Sequence, residues 1–155
     1  MSFDPEKLLD DIGRRIVEEL QENARISFAD LGRKVRLTPA GAADRVRKLE
    51  DAGIITGYHA EINVGKLGLP IVAQIGITAS SNIRHKVKST VEKIPEITEC
   101  YHATGNDCFV VRVAARSISH LEEIIDKLNP LGQLTTSVFL SSVIEKRITM
   151  DAVVN

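Results

Sequence analysis

A run of basic side chains in the N-terminal third of the chain is the feature best suited to binding chemistry. Residues 33–48 contain a single acidic side chain, Asp44, and six basic ones. The basic residues are Arg33, Lys34, Arg36, Arg45, Arg47 and Lys48. A cluster of this kind neutralises DNA phosphates and releases their counterions, which supplies affinity without sequence preference. The alternative is a solvated helix face, because most exposed Lys and Arg side chains bind no ligand.

A helix is predicted to begin inside this run, at Thr38. The hydroxyl of Thr38 can cap the first turn, and Pro39 sets φ at the first helical position. The inward face of this helix carries apolar residues at three- and four-residue spacing, and Gly53 marks its end. The apolar residues are Ala42, Val46 and Leu49. The amides left free in the first turn provide a natural phosphate contact.

The other faces of this helix have the composition expected of a helix that reads DNA. A small side chain such as Ala40 in the first turn lets a helix enter the major groove closely, and Arg47 is long enough to reach a guanine edge or a phosphate. Arg45 and Lys48 flank this surface. We therefore predict DNA contacts by Arg36, Thr38, Ala40, Asp44, Arg45, Arg47 and Lys48.

The elements before this helix complete a small DNA-binding module. A first helix is predicted after Asp4-Pro5, with one apolar face. That face carries Leu8, Leu9, Ile12, Ile16 and Leu20. A short second helix is predicted from Ser27, whose hydroxyl can cap the amide of Asp30 while Asp30 reaches back in a capping box. Three helices joined by short turns describe a winged or simple helix-turn-helix.

Apolar spacing changes to alternation near residue 55, which indicates a β-rich second half. Alternation predicts strands at 71–77 and 109–113 and a last strand with Val138 and Leu140 on its buried face. Helical spacing predicts helices at 83–94 and 118–128, each followed by a proline. The order from residue 69 is strand, helix, strand, strand, helix, strand, with both helices on one face of an antiparallel sheet.

These elements predict an α+β protein with two domains. An N-terminal (winged) helix-turn-helix domain occupies residues 1–54, and a ferredoxin-like βαββαβ domain occupies 69–155. Residues 55–68 form the connection, which we expect to contain a linking strand at about 55–62 and a hinge.

Overall composition agrees with a cytoplasmic protein but conceals the basic run. Hydrophobic residues make up 43% of the 155 residues, and the formal net charge is −1. That total is a cancellation, because residues 4–22 carry seven acidic side chains against three basic ones and residues 61–155 carry ten of each sign. The longest uncharged stretch, 67–83, is too short and too polar to span a membrane. The absence of a secretory signal and of metal-spaced cysteines favours a reducing compartment.

Residues that could support other chemistry are few and scattered. The four histidines, His59, His85, His102 and His120, lie on separate predicted elements with no pair at ligand spacing. Cys100 and Cys108 are interpreted as buried thiols. No nucleotide-binding loop or catalytic triad order is present. We therefore expect no catalytic residues, no metal site and no cofactor.

Two segments carry a family resemblance. The first is Arg25-Ile-Ser-Phe-Ala-Asp-Leu-Gly-Arg-Lys-Val-Arg-Leu-Thr-Pro39, and the second is Arg45-Val-Arg-Lys-Leu-Glu-Asp-Ala-Gly-Ile-Ile-Thr-Gly-Tyr58. Together they closely resemble the Lrp/AsnC (feast/famine) regulators, with Thr38 in place of the usual Ser. The resemblance covers nearly the whole chain, because the second half is similar to the effector-sensing domain of that family. It implies that the helix-turn-helix spans about residues 28–47.

The resemblance also implies an effector site in the loop Thr104-Gly-Asn-Asp-Cys-Phe109. In the family this loop carries a Gly-x-aromatic-Asp pattern that lines an amino-acid pocket between subunits. Gly105 matches the pattern, whereas Asp107 stands at the aromatic position and Cys108 at the Asp position. The effector residues expected from the resemblance are Thr104, Gly105, Asn106, Asp107 and Thr136. The expected partners are double-stranded DNA, an amino-acid effector and further copies of the chain, as a dimer or an octamer.

Two other functions remain open at this point. A small group of haem-biosynthesis decarboxylases has a similar two-domain architecture, and His102 could serve such an enzyme. The basic cluster speaks against this, because an enzyme does not need it. The third possibility is an amino-acid sensor that acts only through protein partners.

Overall fold

The computed structural model describes residues 5–143 and 148–152, which divide into two compact units. The N-terminal unit contains residues 5–60 together with 148–152, and the second unit contains residues 61–143. The second domain was predicted to span 69–155; in the structure, residues 148–152 make hydrogen bonds to the N-terminal unit. Among the residues that the structure describes, no helix is long and apolar enough to cross a bilayer.

The N-terminal unit is built from four helices, α1 (Pro5–Leu8), α2 (Asp11–Glu22), α3 (Phe28–Val35) and α4 (Pro39–Asp51). They share one apolar core, whose fully buried members are Leu8, Ile16, Leu31, Val35, Ala42, Val46 and Leu49. The predicted caps of α3 and α4 are confirmed: Ser27 Oγ accepts from the Asp30 amide at 3.1 Å, and Thr38 Oγ1 accepts from the Gly41 amide at 3.1 Å. Asp30 reaches back to the Ser27 hydroxyl, at 2.6 Å.

The prediction of one continuous first helix is wrong, because the chain breaks between α1 and α2. Asp10 caps α2 by accepting a hydrogen bond from the Gly13 amide at 2.8 Å. A Cβ atom on Gly13 would clash with the Leu8 carbonyl, so glycine permits the close approach of backbone at this break. Ile12 of the predicted apolar face is consequently exposed. The predicted cap at Asp4 lies outside the described residues.

The turn between α3 and α4 is tight and depends on Gly32. The Leu37 amide donates to the Gly32 carbonyl at 2.8 Å, and Arg36 adopts the left-handed conformation with φ 60°. A Cβ atom on Gly32 would lie only 2.6 Å from the Leu37 oxygen. The turn therefore packs directly onto the backbone of α3, which sets the crossing of α3 and α4.

The linking strand predicted at 55–62 is absent from the structure. Residues 56–63 are exposed and pair with no other strand in the described parts of the chain. A strand needs a neighbour to satisfy its backbone groups, and none is available here. For the same reason, no wing hairpin follows α4 within these residues.

The second unit has the predicted βαββαβ order and an antiparallel sheet. Its elements are β1 (Ile71–Thr78), α5 (Arg84–Val91), β2 (Ile97–His102), β3 (Phe109–Ala115), α6 (Ile118–Leu128) and β4 (Gln133–Val138), with strand order β2-β3-β1-β4. Both helices contribute to a single core on one face of the sheet. The predicted buried faces of β1 and β3 are confirmed, since Ala73, Ile75, Ile77, Val111 and Val113 are all fully buried.

The prediction for the last strand is wrong in its detail. Leu134 packs against the core, whereas Val138 is half-exposed and Leu140 is 96% exposed. Val138 pairs with Ala73, and the Phe139 amide still donates to the Val72 carbonyl at 2.9 Å. The register would place Leu140 opposite Ile71, but pairing with β1 ends at Val138, so Leu140 lies beyond the sheet and is exposed.

We predict that Gly32→Ala destabilises the N-terminal unit by about 1–3 kcal/mol, because the added methyl group overpacks the turn. At an unhindered helical position the same change stabilises by about 1 kcal/mol, so the sign of the effect distinguishes the two cases. Denaturant unfolding followed by circular dichroism measures the difference. A neutral or stabilising result would show that the turn does not require glycine.

Candidate DNA-binding face and effector loop

One face of α4 is exposed and lies opposite the buried stripe of Ala42, Val46 and Leu49. Ala40, Asp44 and Arg47 recur on it at four- and three-residue spacing and are all exposed. No hydrogen bond or ion pair joins Arg47 to another residue in the described parts of the chain. Its guanidinium is therefore available to a ligand. We call the surface formed by these three residues the reading face.

Asp44 and Lys48 form an ion pair beside the reading face, with 2.7 Å between Nζ and Oδ2. The Lys48 hydrogen bond lowers the pKa of the Asp44 carboxyl, which is thus charged at neutral pH. Both side chains are half-exposed. Such a pair is weak in water, so a stronger donor or acceptor on a DNA base can displace it.

The N-terminus of α4 offers fewer phosphate contacts than the sequence suggested. Pro39 has no N–H, the Gly41 amide donates to Thr38 Oγ1, and the Ala42 amide donates to the Thr38 carbonyl at 2.9 Å. This leaves the Ala40 amide as the donor of the first turn. Arg36 is exposed in the preceding turn and contributes positive charge close to it.

Arg45 was predicted to contact DNA; in the structure its guanidinium already has partners within the unit. Its guanidinium pairs with Asp10 and donates to the Leu8 carbonyl at 3.4 Å, and only 22% of its side chain is exposed. Arg45 therefore joins α4 to the break between α1 and α2. Nothing in the spacing of the sequence marks Asp10 as the partner of Arg45, because the two residues are 35 positions apart.

Lys34 and Arg33 of the basic run also have partners within the unit. Lys34 pairs with Glu19, whose side chain is only 4% exposed, and Arg15 approaches the same carboxylate at 2.9 Å. The Lys34 hydrogen bond, followed by the charges of Lys34 and Arg15, lowers the pKa of Glu19 against the opposing effect of burial. Arg33 pairs with Asp30.

The loop between β2 and β3 holds the predicted effector residues. Two backbone hydrogen bonds of 2.9 Å close it, from the Ala103 amide to the Cys108 carbonyl and from the Cys108 amide to the Ile77 carbonyl. Gly105 lies at its tip with φ 117°, a conformation that favours glycine. Thr104, Gly105 and Asn106 are exposed, so the structure brings them together at an open surface.

Asp107 is the predicted effector residue with the most defined position. Its carboxylate lies directly over Gly76, at the place where a Cβ atom of that residue would be. The Thr78 hydroxyl donates to Asp107 Oδ1 at 3.2 Å and is 3.1 Å from the Asn106 carbonyl. Gly76 and Thr78 alternate with buried Ile75 and Ile77, so Asp107 lies on the sheet face away from the helices. Sequence reasoning missed these two residues, although a glycine within the apolar alternation of β1 was a visible signal.

Thr136, also predicted to bind the effector, is not part of this group. It pairs with Ile75 and therefore points to the helix side of the sheet, whereas Thr135 pairs with Gly76 and shares the face of Asp107. Neighbouring residues of a strand point to opposite faces, so Thr135 and Thr136 cannot both lie beside Asp107.

The remaining candidates are His102 and the two cysteines, which lie on β2 or in the loop that follows it. The His102 ring packs against Phe109 with centroids 4.9 Å apart, and Cys108 Sγ accepts from Arg84 at 3.3 Å. Cys100 is exposed, contrary to its interpretation as a buried thiol. Within the described residues, no group of three His, Cys, Asp or Glu side chains is arranged to hold a metal ion.

Comparison with known proteins covers both units. A family model described as winged helix-turn-helix DNA-binding matches residues 9–56, and one described as Lrp/AsnC ligand binding domain matches residues 72–149. The transcriptional regulator LrpC of Bacillus subtilis is 36% identical over 135 residues, which span 87% of this chain and 94% of that protein. The regulatory protein AsnC of Escherichia coli is 31% identical over 132 residues, which span 84% and 87%.

Solved structures show the same correspondence. The structure of Bacillus subtilis LrpC matches with a TM-score of 0.82 and covers 89% of this chain and 99% of that one. A transcriptional regulator from Neisseria meningitidis, NMB0573 in complex with L-Met, matches with a TM-score of 0.81 at 25% identity, covering 88% and 93%. Both units thus have counterparts within single proteins.

We predict that the Glu19 carboxylate makes stability depend on pH. Since its pKa is lowered in the folded state, its contribution is present above the unfolded value of about 4.3 and is lost as pH falls through the folded pKa. Unfolding free energies measured from about pH 3 to about pH 7 should rise more steeply for the natural chain than for Glu19→Gln. The exposed neighbour Glu18→Gln is the control, and parallel curves for the natural chain and Glu19→Gln would contradict the assignment.

Proposed function

The chain belongs to the Lrp/AsnC family of transcriptional regulators, and from this premise we propose that its reading face recognises a DNA half-site while its β2–β3 loop binds an amino-acid effector. It is a DNA-binding regulator with a ligand-binding domain, as its relatives are. Its DNA partner also argues for a cytoplasmic location.

The unpartnered guanidinium of Arg47, opposite the buried stripe of α4, is the observation that carries the DNA-binding role. Arg presents paired donors that match the O6 and N7 acceptors of guanine in the major groove. Ala40 at the start of the helix leaves room for close approach to the base edges. Arg36 and Lys48 supply charge at the margins, where the phosphates would lie.

Two features support a homodimer. Residues 56–63 expose backbone groups that no strand of the described chain satisfies, and the end of β4 exposes three large apolar residues, Phe139, Leu140 and Val143. Exposed apolar surface of this kind marks a protein interface. A second copy that covers it would present two reading faces to half-sites about one helical turn apart, near 34–36 Å.

The effector role rests on Asp107. Thr78 donates to its Oδ1, and no basic side chain in the described chain pairs with its carboxylate. A half-buried carboxylate without a cation is suited to the ammonium group of an amino acid. Thr135 on the same face and the exposed backbone around Gly105 provide further hydrogen-bonding groups for the rest of the ligand. The Neisseria relative in complex with L-Met supports an amino acid as the ligand class.

Regulation then requires that the effector bind one state of the protein better than another. The difference in affinity between the two states sets how far DNA binding can change. Among the described residues, no observation favours an enzyme of the decarboxylase type; the His102 ring packs against Phe109.

We predict that Arg47→Ala lowers affinity for the preferred duplex by about 1–3 kcal/mol, roughly 5- to 150-fold, if Arg47 contacts a base. Selection from a random duplex library identifies the preferred sequence, and fluorescence anisotropy measures binding to it and to a scrambled duplex. The discrimination between the two duplexes should fall with the affinity.

Arg47→Lys serves as the matched variant, since it keeps the charge but loses the planar pair of donors. It should retain binding to the scrambled duplex and lose discrimination. Equal losses on both duplexes for Arg47→Ala would assign the residue to phosphate contact instead. Unchanged binding by both variants would remove the reading face from DNA recognition.

We predict that Asp107→Asn abolishes the stabilisation of the protein by its effector. A ligand that binds the native state raises Tm by mass action, so a thermal-shift screen of the twenty amino acids at millimolar concentration identifies it. Asp126→Asn makes the same charge change on an exposed residue of α6 and should keep the response. A response that survives Asp107→Asn would place the ligand elsewhere.

A further inference from the structure

Residues 148–152 lie against α2, although 83 residues of the second unit separate them in sequence from the rest of the N-terminal unit. The chain leaves the N-terminal unit after residue 60, forms the whole second unit and then returns. The second unit is in this sense an insertion within the DNA-binding unit. We call residues 148–152 the return segment.

Gln21 on α2 binds the return segment through both ends of its side-chain amide. Its Nε2 donates to the Ile148 carbonyl at 3.0 Å, and its Oε1 accepts from the Ile148 amide at 2.8 Å. The side chain thus pairs with the backbone of one residue as a neighbouring strand would. This reciprocal pair fixes the position of the segment along α2 and depends on no side chain of the segment.

A second anchor lies two turns earlier on α2. Arg14 Nη1 donates to the Met150 carbonyl at 3.2 Å, while its Nε donates to the Leu9 carbonyl at 2.9 Å. Met150 itself is only 5% exposed. The return segment therefore combines a buried apolar side chain with three hydrogen bonds, and Arg14 ties it to the break between α1 and α2.

We propose that α2 carries a docking surface, formed by Arg14 and Gln21, whose partner is the chain's own return segment, and that this contact carries the effector state to the DNA-binding unit. This proposal rests on the functions proposed above. The segment follows β4, whose Thr135 shares a sheet face with Asp107. We expect ligand binding that shifts β4 to alter the docking of the return segment on α2.

The N-terminal unit can pass such a change to α4. Ile16 of α2 belongs to the same buried core as Val46 and Leu49 of α4, and Arg45 joins α4 to Asp10 at the start of α2. A packed core transmits small displacements because it has no free volume to absorb them. The covalent connection at residues 56–63 is exposed, and the Tyr58 hydroxyl there donates to Glu50 Oε1 of α4 at 2.8 Å, so the docked segment adds a second link to the one already made by the chain.

The test compares Gln21→Leu with the control Glu22→Leu, which places the same side chain at the adjacent exposed position. Hydrogen exchange on the full chain without DNA or effector measures the docking alone. We expect Gln21→Leu to speed exchange of the Ile148 amide by roughly ten-fold or more, with β1 and β3 unchanged. Equal exchange in the natural chain and Gln21→Leu would overturn the docking surface.

The proposed coupling between effector and DNA binding is tested by measuring DNA affinity with and without an equimolar mixture of the twenty amino acids. The natural chain and Glu22→Leu should show a response in the range typical of coupled sites, roughly 5- to 150-fold, whereas Gln21→Leu should bind DNA but lose the response. A full response in Gln21→Leu would overturn the coupling. No response in the natural chain would overturn the coupling together with the effector role, while the exchange result still decides whether the segment docks.

Discussion

Burial of Ala42, Val46 and Leu49 against α2 and α3 determines which side of α4 reaches solvent. Once that stripe is inside, helical geometry places Ala40, Asp44 and Arg47 on the opposite side. The tight turn at Gly32 fixes the angle at which the helix is held. The reading face is therefore a consequence of packing, and its side chains are exposed because none of them is needed for the core.

The basic residues of the N-terminal unit fall into two groups, those that form ion pairs within the unit and those that do not. Lys34 and Arg45 neutralise the carboxylates of Glu19 and Asp10, which cap or line the joints between helices. Arg36 and Arg47 have no such partner in the described chain and remain available to phosphates and bases. Carboxylates of the acidic first helices thus form ion pairs with the basic run, in addition to offsetting its charge in the total. A net charge of −1 therefore coexists with two exposed guanidinium groups, those of Arg36 and Arg47, because the other cations of the basic run pair with carboxylates of the same unit.

In the second unit and at the return segment, a side chain lies directly against the backbone of another part of the chain. Gly76 lets the Asp107 carboxylate rest on the sheet, and Thr78 holds it there. On α2, the side-chain amide of Gln21 makes the two hydrogen bonds with the Ile148 backbone that a neighbouring strand would make. In both places a stretch of chain without regular structure is positioned by one side chain or by the absence of a Cβ atom.

The sequence by itself determined the local elements and their order. Thr38-Pro39 and Ser27 identified helix starts because caps are local, and the alternation along β1 and β3 identified strands because burial has a fixed period. The α+β class and the helix-turn-helix followed from these patterns, and the family followed from the resemblance of residues 25–39 and 45–58 to its members. The break at Asp10, the partner of Arg45, the face of Thr136 and the return of residues 148–152 were decided only by the tertiary structure. Each of these features depends on a contact between groups that are far apart in sequence and close in space. A sequence pattern shows spacing along the chain, but it does not show which groups come together when the chain folds.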